Sequence, residues 1–160
     1  MNNQYQIETI GYVEATKLEF LIHVFDQYRS GLKNIQGFSH LQVVWWAHLM
    51  DDKEYRNKTI IKKLFKNVPD EMGVFATRAP TRPNPIMIST VKVKKIDFEK
   101  GIIHTPFIDA EQKTPIIDIK PYFPMERVKN CEVPEFFKNW PKWSEDAATY
   151  DWKKEINFKT

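Results

Sequence analysis

Residues 88–96 alternate in character, with Val91 and Val93 pointing one way and Lys92 and Lys94 the other. Period-two alternation suits a half-buried strand, because successive side chains leave opposite faces of the pleat. Strand-length runs recur at 5–13, 20–25, 40–48, 74–77, 102–107 and 116–119. The run 40–48 carries Val43, Val44, Trp45 and Trp46 and is apolar enough for burial on both faces. Residues 97–101 read as the connection between two antiparallel strands. Residues 57–66 break the pattern with helical spacing: Ile60, Ile61, Leu64 and Phe65 on one side, Lys62, Lys63 and Lys66 exposed. Many short strands and few helices predict a mainly β fold, a small barrel or sandwich with a few peripheral helices.

A chain of 160 residues has room for one domain with a real core, not two full ones. Its character changes after Pro124. The last 36 residues hold Trp140, Trp143, Trp152 and many charges, and Ser144 is placed to N-cap a helix from Glu145 onward. The expected organisation is a domain over 1–124 and an aromatic, charged appendage over 125–160 packed on it.

Glycine excludes one common chemistry. The chain has five, at positions 11, 31, 37, 73 and 101, and none are spaced for GxGxxG or a P-loop. The usual Gly-rich turn that brings backbone up to a phosphate is absent, so a nucleotide-like ligand must be held another way. Cys131 is the one cysteine, which excludes an intrachain disulfide and a cysteine zinc cluster and fits a reducing cytoplasm. No apolar run approaches the ~20 residues that span a membrane. The opening MNNQYQIETI lacks the pattern of a secretory signal. The net charge of +3 permits a nucleic-acid partner if the cations cluster, as at Lys62-Lys63-Lys66 and Lys92-Lys94-Lys95.

Three segments could carry chemistry. In GVFATRAPTRPNP, residues 73–85, Arg78 and Arg82 are interleaved with prolines, and Arg82 and Asn84 each precede one. Proline fixes its own φ and extends the residue before it, so such a loop holds polar side chains at low entropic cost. A rigid surface loop with solvated arginines explains it equally. In residues 109–122, Asp118 and Lys120 share a face of a strand, and Asp109 opens a polar loop where a carboxylate could accept from ribose hydroxyls. An ion pair and an ordinary turn are the plainer account. In residues 37–49, His40 and His48 lie ~26 Å apart along a strand at ~3.3 Å per residue, too far to share a metal. No serine sits in a nucleophile elbow, and Cys131 lacks a sign of activation.

Taken together, the segments resemble the TsaA-like (TrmO-like) family. GVFATRAPTRPNPI is similar to the family's GVFATRSPxRPNPIG, TPIIDIKPYFP to TPVLDIKPYxP, and GLKNIQGFSHLQVVWWAH to GLxGIEGFSHLxVLYWxH; IGYVE resembles its first strand. The resemblance spans about residues 7–124. It implies a small β-barrel methyltransferase domain, a homodimer, and S-adenosylmethionine (SAM) held without metal by loops at one end. SAM contacts are implied at His48, Leu49, Arg78, Ile88 and the loop Asp109, Ala110, Glu111 and Gln112. Phe75, Arg82, Asn84, Asp118, Lys120 and Tyr122 match positions that build or support the site, and Asp118 or Tyr122, with Lys120, are the candidates to assist proton loss from an acceptor nitrogen. The implied substrate is tRNA or another RNA, with N6-methylation of threonylcarbamoyladenosine the activity of characterised members.

Five departures bear on that reading. The family's Pro-Arg-Gln segment after the first strand is missing. Met87 replaces a glycine, and so does Lys113. Gln112 replaces an acid in the loop that reads DAEQKTP. The longer C-terminal tRNA-binding domain of the family is not recognisable. Three functions therefore stand side by side: an RNA methyltransferase, a methyltransferase on a small molecule or other non-tRNA substrate, and a non-catalytic SAM-binding protein.

Overall fold

A computed structural model describes residues 5–63, 65–147 and 149–157. The strands among them are β1 Gly11–Ala15, β2 Phe20–Val24, β3 His40–Trp46, β4 Ile60–Lys62, β5 Glu71–Gly73, β6 Ile86–Lys92, β7 Lys95–Asp97, β8 Ile102–Thr105 and β9 Pro115–Pro121. Two single-turn helices accompany them, α1 Lys53–Arg56 and α2 Ser144–Ala147. Seven strands form one antiparallel sheet in the order β6-β3-β9-β1-β2-β8-β7, and β4 and β5 pair separately.

Alternation decides the faces. Leu41, Val43 and Trp45 of β3, Val13 of β1, Ile22 and Val24 of β2, Val91 of β6, Ile103 of β8 and Ile116 of β9 are buried and form one cluster. Gly11 lets β1 and β2 cross closely, since a Cβ there would stand 1.9 Å from the His23 carbonyl oxygen.

The run expected over 88–96 divides at Val93 and Lys94. Its first half pairs with β3, ending at His40↔Lys92, and its second half pairs with β8, starting at Lys95↔His104. A flat seven-stranded sheet would hold its edges ~29 Å apart at ~4.8 Å per strand. Two linking residues bridge at most ~11 Å. The sheet is therefore curled round until its two edges are halves of one bent run. β6 and β7 do not pair with each other, so the expected barrel is not closed by hydrogen bonds; a covalent link joins its edges instead.

Other expectations changed. No helix spans 57–66. Asp52 caps the short α1 by accepting from the Tyr55 N–H, and the β-branched Ile60 and Ile61 pair with Gly73 and Met72 instead; Leu64 lies outside the described residues. Residues 74–76 form a 3-10 turn rather than a strand. The first strand begins at Gly11, not at residue 5. The turn at 97–101 is present, closed by the Lys100 N–H on Asp97 at 3.0 Å and by Gly101 at φ 66°. The final helix is the one turn Ser144–Ala147, with Ser144 inside it.

The C-terminal segment makes its described contacts with the stretch that follows β4. Phe65 bridges Ile156, and the Lys66 N–H donates to the Glu155 carbonyl at 2.8 Å. Trp140 meets Phe65 edge-on at 4.8 Å and Trp152 at 5.2 Å.

Candidate functional site

The strand registers bring the ends of β1, β3 and β8 together with the starts of β2, β6 and β9. Four connections meet at that end of the sheet: the hairpin 16–19, residues 47–50, the proline-rich stretch 74–85, and residues 106–114. Arg78 and Asp109, far apart in sequence, therefore lie at the same end.

Two guanidinium groups fold the proline-rich stretch onto itself. Arg82 Nη2 donates to the carbonyls of Val74 at 2.9 Å and Thr77 at 2.7 Å, while Arg78 Nη2 donates to the Ile88 carbonyl at 2.5 Å. Arg56 holds the stretch from the other side. It donates to the Pro83 carbonyl at 3.0 Å and Asn84 Oδ1 at 3.4 Å, pairs with Asp51 at 3.1 Å, and lies 5.8 Å over the Trp46 ring. Trp46 Nε1 donates to Asp51 in turn, at 2.9 Å. The Ala47 N–H reaches the Pro85 carbonyl at 2.8 Å, tying 47–50 to the start of β6. Arg56, Asp51 and Trp46 escaped the sequence reading. Arg56 stands 27 and 28 positions from the Pro83 and Asn84 groups it holds, and no local pattern links them.

Between this stretch and the sheet lies an open pocket of about 400 Å³, lined by Gln42, Arg78, Arg82, Ile86, Ile88 and Thr90 and by Met87. Leu49, Phe75 and Ile88 present apolar surface at the same end, and Phe75 is 86% exposed. His48 is half-buried in the 3-10 turn after β3.

The loop 109–114 is anchored through its last residues. The Lys113 N–H donates to the Val13 carbonyl at 2.7 Å, Gln112 Oε1 accepts from the Ala15 N–H at 2.5 Å, and Thr114 is buried. Gln112 thus caps the end of β1. Lys113 has φ 63°, the left-handed conformation that glycine adopts without cost. Asp109 and Glu111 are exposed and enter no ion pair among the described residues, while Ala110 packs on the core. The hairpin 16–19 is a tight turn in which Thr16 Oγ1 donates to the Glu19 carbonyl at 2.6 Å.

Asp118, Lys120 and Tyr122 do not gather at that end. Asp118 sits mid-strand opposite Val44, pairs with Lys120 at 2.5 Å and accepts from the Ile119 N–H. Tyr122 lies past the far end of β9, its N–H on the His40 carbonyl at 3.1 Å. That is six residues beyond Ile116, ~20 Å along an extended chain. The ion pair that Asp118 and Lys120 could form is formed. Met87, which replaces the family's glycine, is 9% exposed and belongs to the core cluster opposite Trp45.

The chain matches the model of the tRNA-methyltransferase O N-terminal domain over residues 11–126. It belongs to that family. The stretch matched includes all four connections at the site end and the whole seven-stranded sheet. A probable S-adenosyl-L-methionine-binding protein of Methanocaldococcus jannaschii is 38% identical over 116 residues, 72% of this chain and 90% of that one. The tRNA (adenine(37)-N6)-methyltransferase of Escherichia coli is 34% identical over 107 residues, 64% of this chain but 45% of that enzyme. Among solved structures, TrmO from Pseudomonas aeruginosa superposes with a TM-score of 0.63 at 22% identity, covering 81% of this chain and 61% of that one. This family member therefore shares the fold of TrmO and spans under half of the E. coli enzyme.

Proposed function

We propose that the chain binds SAM at the end of the sheet where residues 47–50, 74–85 and 106–114 meet, and transfers its methyl group to an adenosine nitrogen of RNA. The observation that carries this reading is the convergence at one end of nearly all the residues matched to the family's SAM-contacting positions, from three connections distant in sequence. The groups present suit such a ligand. Asp109 and Glu111 offer carboxylates without ion-pair partners among the described residues, able to accept from ribose hydroxyls or pair with an ammonium group. Leu49, Phe75 and Ile88 offer exposed apolar surface against an adenine ring. His48 completes the wall beside Leu49. When bound, SAM supplies a methyl carbon on a sulfonium that is already a good leaving group.

What remains for the protein is alignment and exclusion of water. The stiff 74–85 loop, braced by Arg56, Arg78 and Arg82, and supported through Asn84, provides a fixed wall against which an acceptor can be held. Asp118 or Tyr122, with Lys120, are kept from the family resemblance as the candidates to assist proton loss, although none of the three is among the groups that gather at the site end. Residues 1–124 would carry this chemistry, with 125–160 packed on them as an appendage, in a cytoplasmic homodimer.

The relatives named as SAM-binding proteins and as a tRNA methyltransferase support the cofactor and the RNA substrate. The test is calorimetric titration with SAM and S-adenosylhomocysteine, followed by nucleoside mass spectrometry of hypomodified tRNA incubated with enzyme and SAM. Saturable SAM binding and a new methyladenosine derivative are expected; no binding at millimolar SAM overturns the reading. Binding of SAM and RNA without methyl transfer would leave a binding protein.

A further inference from the structure

Two arms frame the site end. Residues 47–59 run from β3 to β4, and residues 74–85 run from β5 to β6. A single backbone hydrogen bond joins the arms at each end. The Ala47 N–H donates to the Pro85 carbonyl at 2.8 Å, and the Val74 N–H donates to the Thr59 carbonyl at 2.9 Å. Between those points the arms exchange no backbone hydrogen bond among the described residues. One side chain crosses the gap. Each of the three guanidinium nitrogens of Arg56 has its own acceptor: Nε donates to the Pro83 carbonyl at 3.0 Å, Nη2 to Asn84 Oδ1 at 3.4 Å, and Nη1 to Asp51 Oδ1 at 3.1 Å. The second Asp51 oxygen accepts from Trp46 Nε1 at 2.9 Å, and the guanidinium lies over the Trp46 ring. Two acceptors are thus on the far arm, while Asp51 and Trp46 aim the group from its own side.

This crosslink adds little to the fold itself. The Arg56 side chain is 41% exposed and that of Asp51 34%, and an ion pair so open to water contributes little to folding stability. What it fixes is a distance. The near arm carries His48 and Leu49, and the far arm carries Phe75 and leads to Ile88. Arg56 does not line the pocket beside β6. A ligand held between two arms binds less tightly when its binding must also order them. A guanidinium is the group suited to prevent that. Its planar fork presents N–H groups in fixed directions and stacks on an indole, whereas a lysine ammonium offers a point charge without either property. We propose that Arg56 is a positioning residue for the cofactor: its fork crosslinks the two arms and holds the 47–50 turn at a fixed distance from the proline-rich wall. This rests on the reading above that SAM binds between those connections, and it assigns the residue that sets their separation.

The test compares the whole chain with Arg56→Lys, Arg56→Ala and Lys58→Gln. Lys58 is a cation on the same arm whose described partners, Glu54 and Tyr55, also lie on that arm. Calorimetry reads SAM affinity and thermal denaturation reads stability. Spin labels at Lys53→Cys and Thr81→Cys, one on each arm, in a Cys131→Ser background, read the spread of distances between the arms by electron paramagnetic resonance. Arg56→Lys keeps a cation beside Asp51 and loses the fork. It and Arg56→Ala should bind SAM about tenfold more weakly, the loss that one charge-assisted hydrogen bond carries. Both should broaden the distance distribution with little change in melting temperature, while Lys58→Gln stays at the parental values. Parental affinity in Arg56→Lys, or an equal loss in Lys58→Gln, overturns the positioning role. So does a loss of affinity that comes with a lowered melting temperature and unchanged distances, since Arg56 then acts through stability alone. Arg56→Lys keeps the test decisive if Arg56→Ala disturbs folding. Absence of SAM binding to the unaltered chain overturns the functional reading and this role with it, whereas equal binding by the unaltered chain and Arg56→Lys overturns the role alone.

Discussion

Arg78 Nη2 donates to the Ile88 carbonyl at 2.5 Å, so one side chain of the proline-rich loop clamps the edge strand β6 from outside. The clamp positions Ile88 and holds the loop over the pocket. Arg78→Ala removes a charge-assisted bond worth ~1.5–3 kcal/mol, although its exposure reduces what folding loses. SAM affinity should fall about tenfold at little change in melting temperature, as read by calorimetry and thermal denaturation. Unchanged affinity would remove Arg78 from the site.

Lys113 occupies the left-handed region at φ 63° while its N–H is committed to Val13. Left-handed backbone costs an L-residue ~1–2 kcal/mol, part of which glycine gives back through its freer unfolded chain. Lys113→Gly should stabilise the fold by ~0.5–1 kcal/mol in urea denaturation. A loss of stability would show that the lysine side chain contributes more than the backbone saves.

Met87 points into the core beside Trp45, and Trp45 Nε1 is satisfied by Ser89 Oγ at 2.9 Å. Restoring the family's glycine therefore opens a cavity instead of a ligand path. Met87→Gly should destabilise the domain by ~3–5 kcal/mol, combining the cavity and the flexibility of glycine in a strand. Denaturant midpoints measure it, and improved SAM binding with no stability loss would contradict this account.

Glu19 accepts from Lys94 Nζ at 2.6 Å and faces His104 Nδ1 at 2.9 Å. The Lys94 bond first, and His104 second, hold its carboxyl below its ordinary value of 4.5. A carboxyl lowered in the folded state favours folding above its unfolded value and loses that contribution as pH falls through the folded one. Glu19→Gln should lower the melting temperature at pH 7, and the gap to the parent should close progressively below about pH 4.5. A gap independent of pH would locate the effect in packing.

Tyr122 lies at the opposite end of β9 from the loops at 74–85 and 106–114. Tyr122→Phe should leave the single-turnover methylation rate within about twofold, the outcome of catalysis by positioning. Asp118→Asn, which breaks the pair with Lys120 nearer the middle of β9, is expected to slow it more. Rapid-quench assays with saturating SAM distinguish the two, and a large loss in Tyr122→Phe would require Tyr122 to reach a substrate from a second subunit.

The sequence by itself determined most strands of the large sheet and the stiffness of the proline-rich loop. Alternation at Val91–Lys94, the Asp97–Gly101 turn and the stiff proline stretch are local properties, set by side-chain period and by restricted φ, and they appear in the structure nearly where they were expected. The motifs also named residues that meet at one end of the sheet. Tertiary structure decided the rest, because it depends on partners distant in the chain. Ile60 and Ile61 have helical spacing, yet Met72 and Gly73 offered them a strand. The run 86–97 bends because its halves have different neighbours, β3 and β8, which fix the curl of the sheet and leave its ring unclosed by hydrogen bonds. The direction of Met87, the reach of Arg56 across to Pro83, and the separation of Tyr122 from the loops follow from strand register, and register is a property of pairs of segments, not of either segment alone.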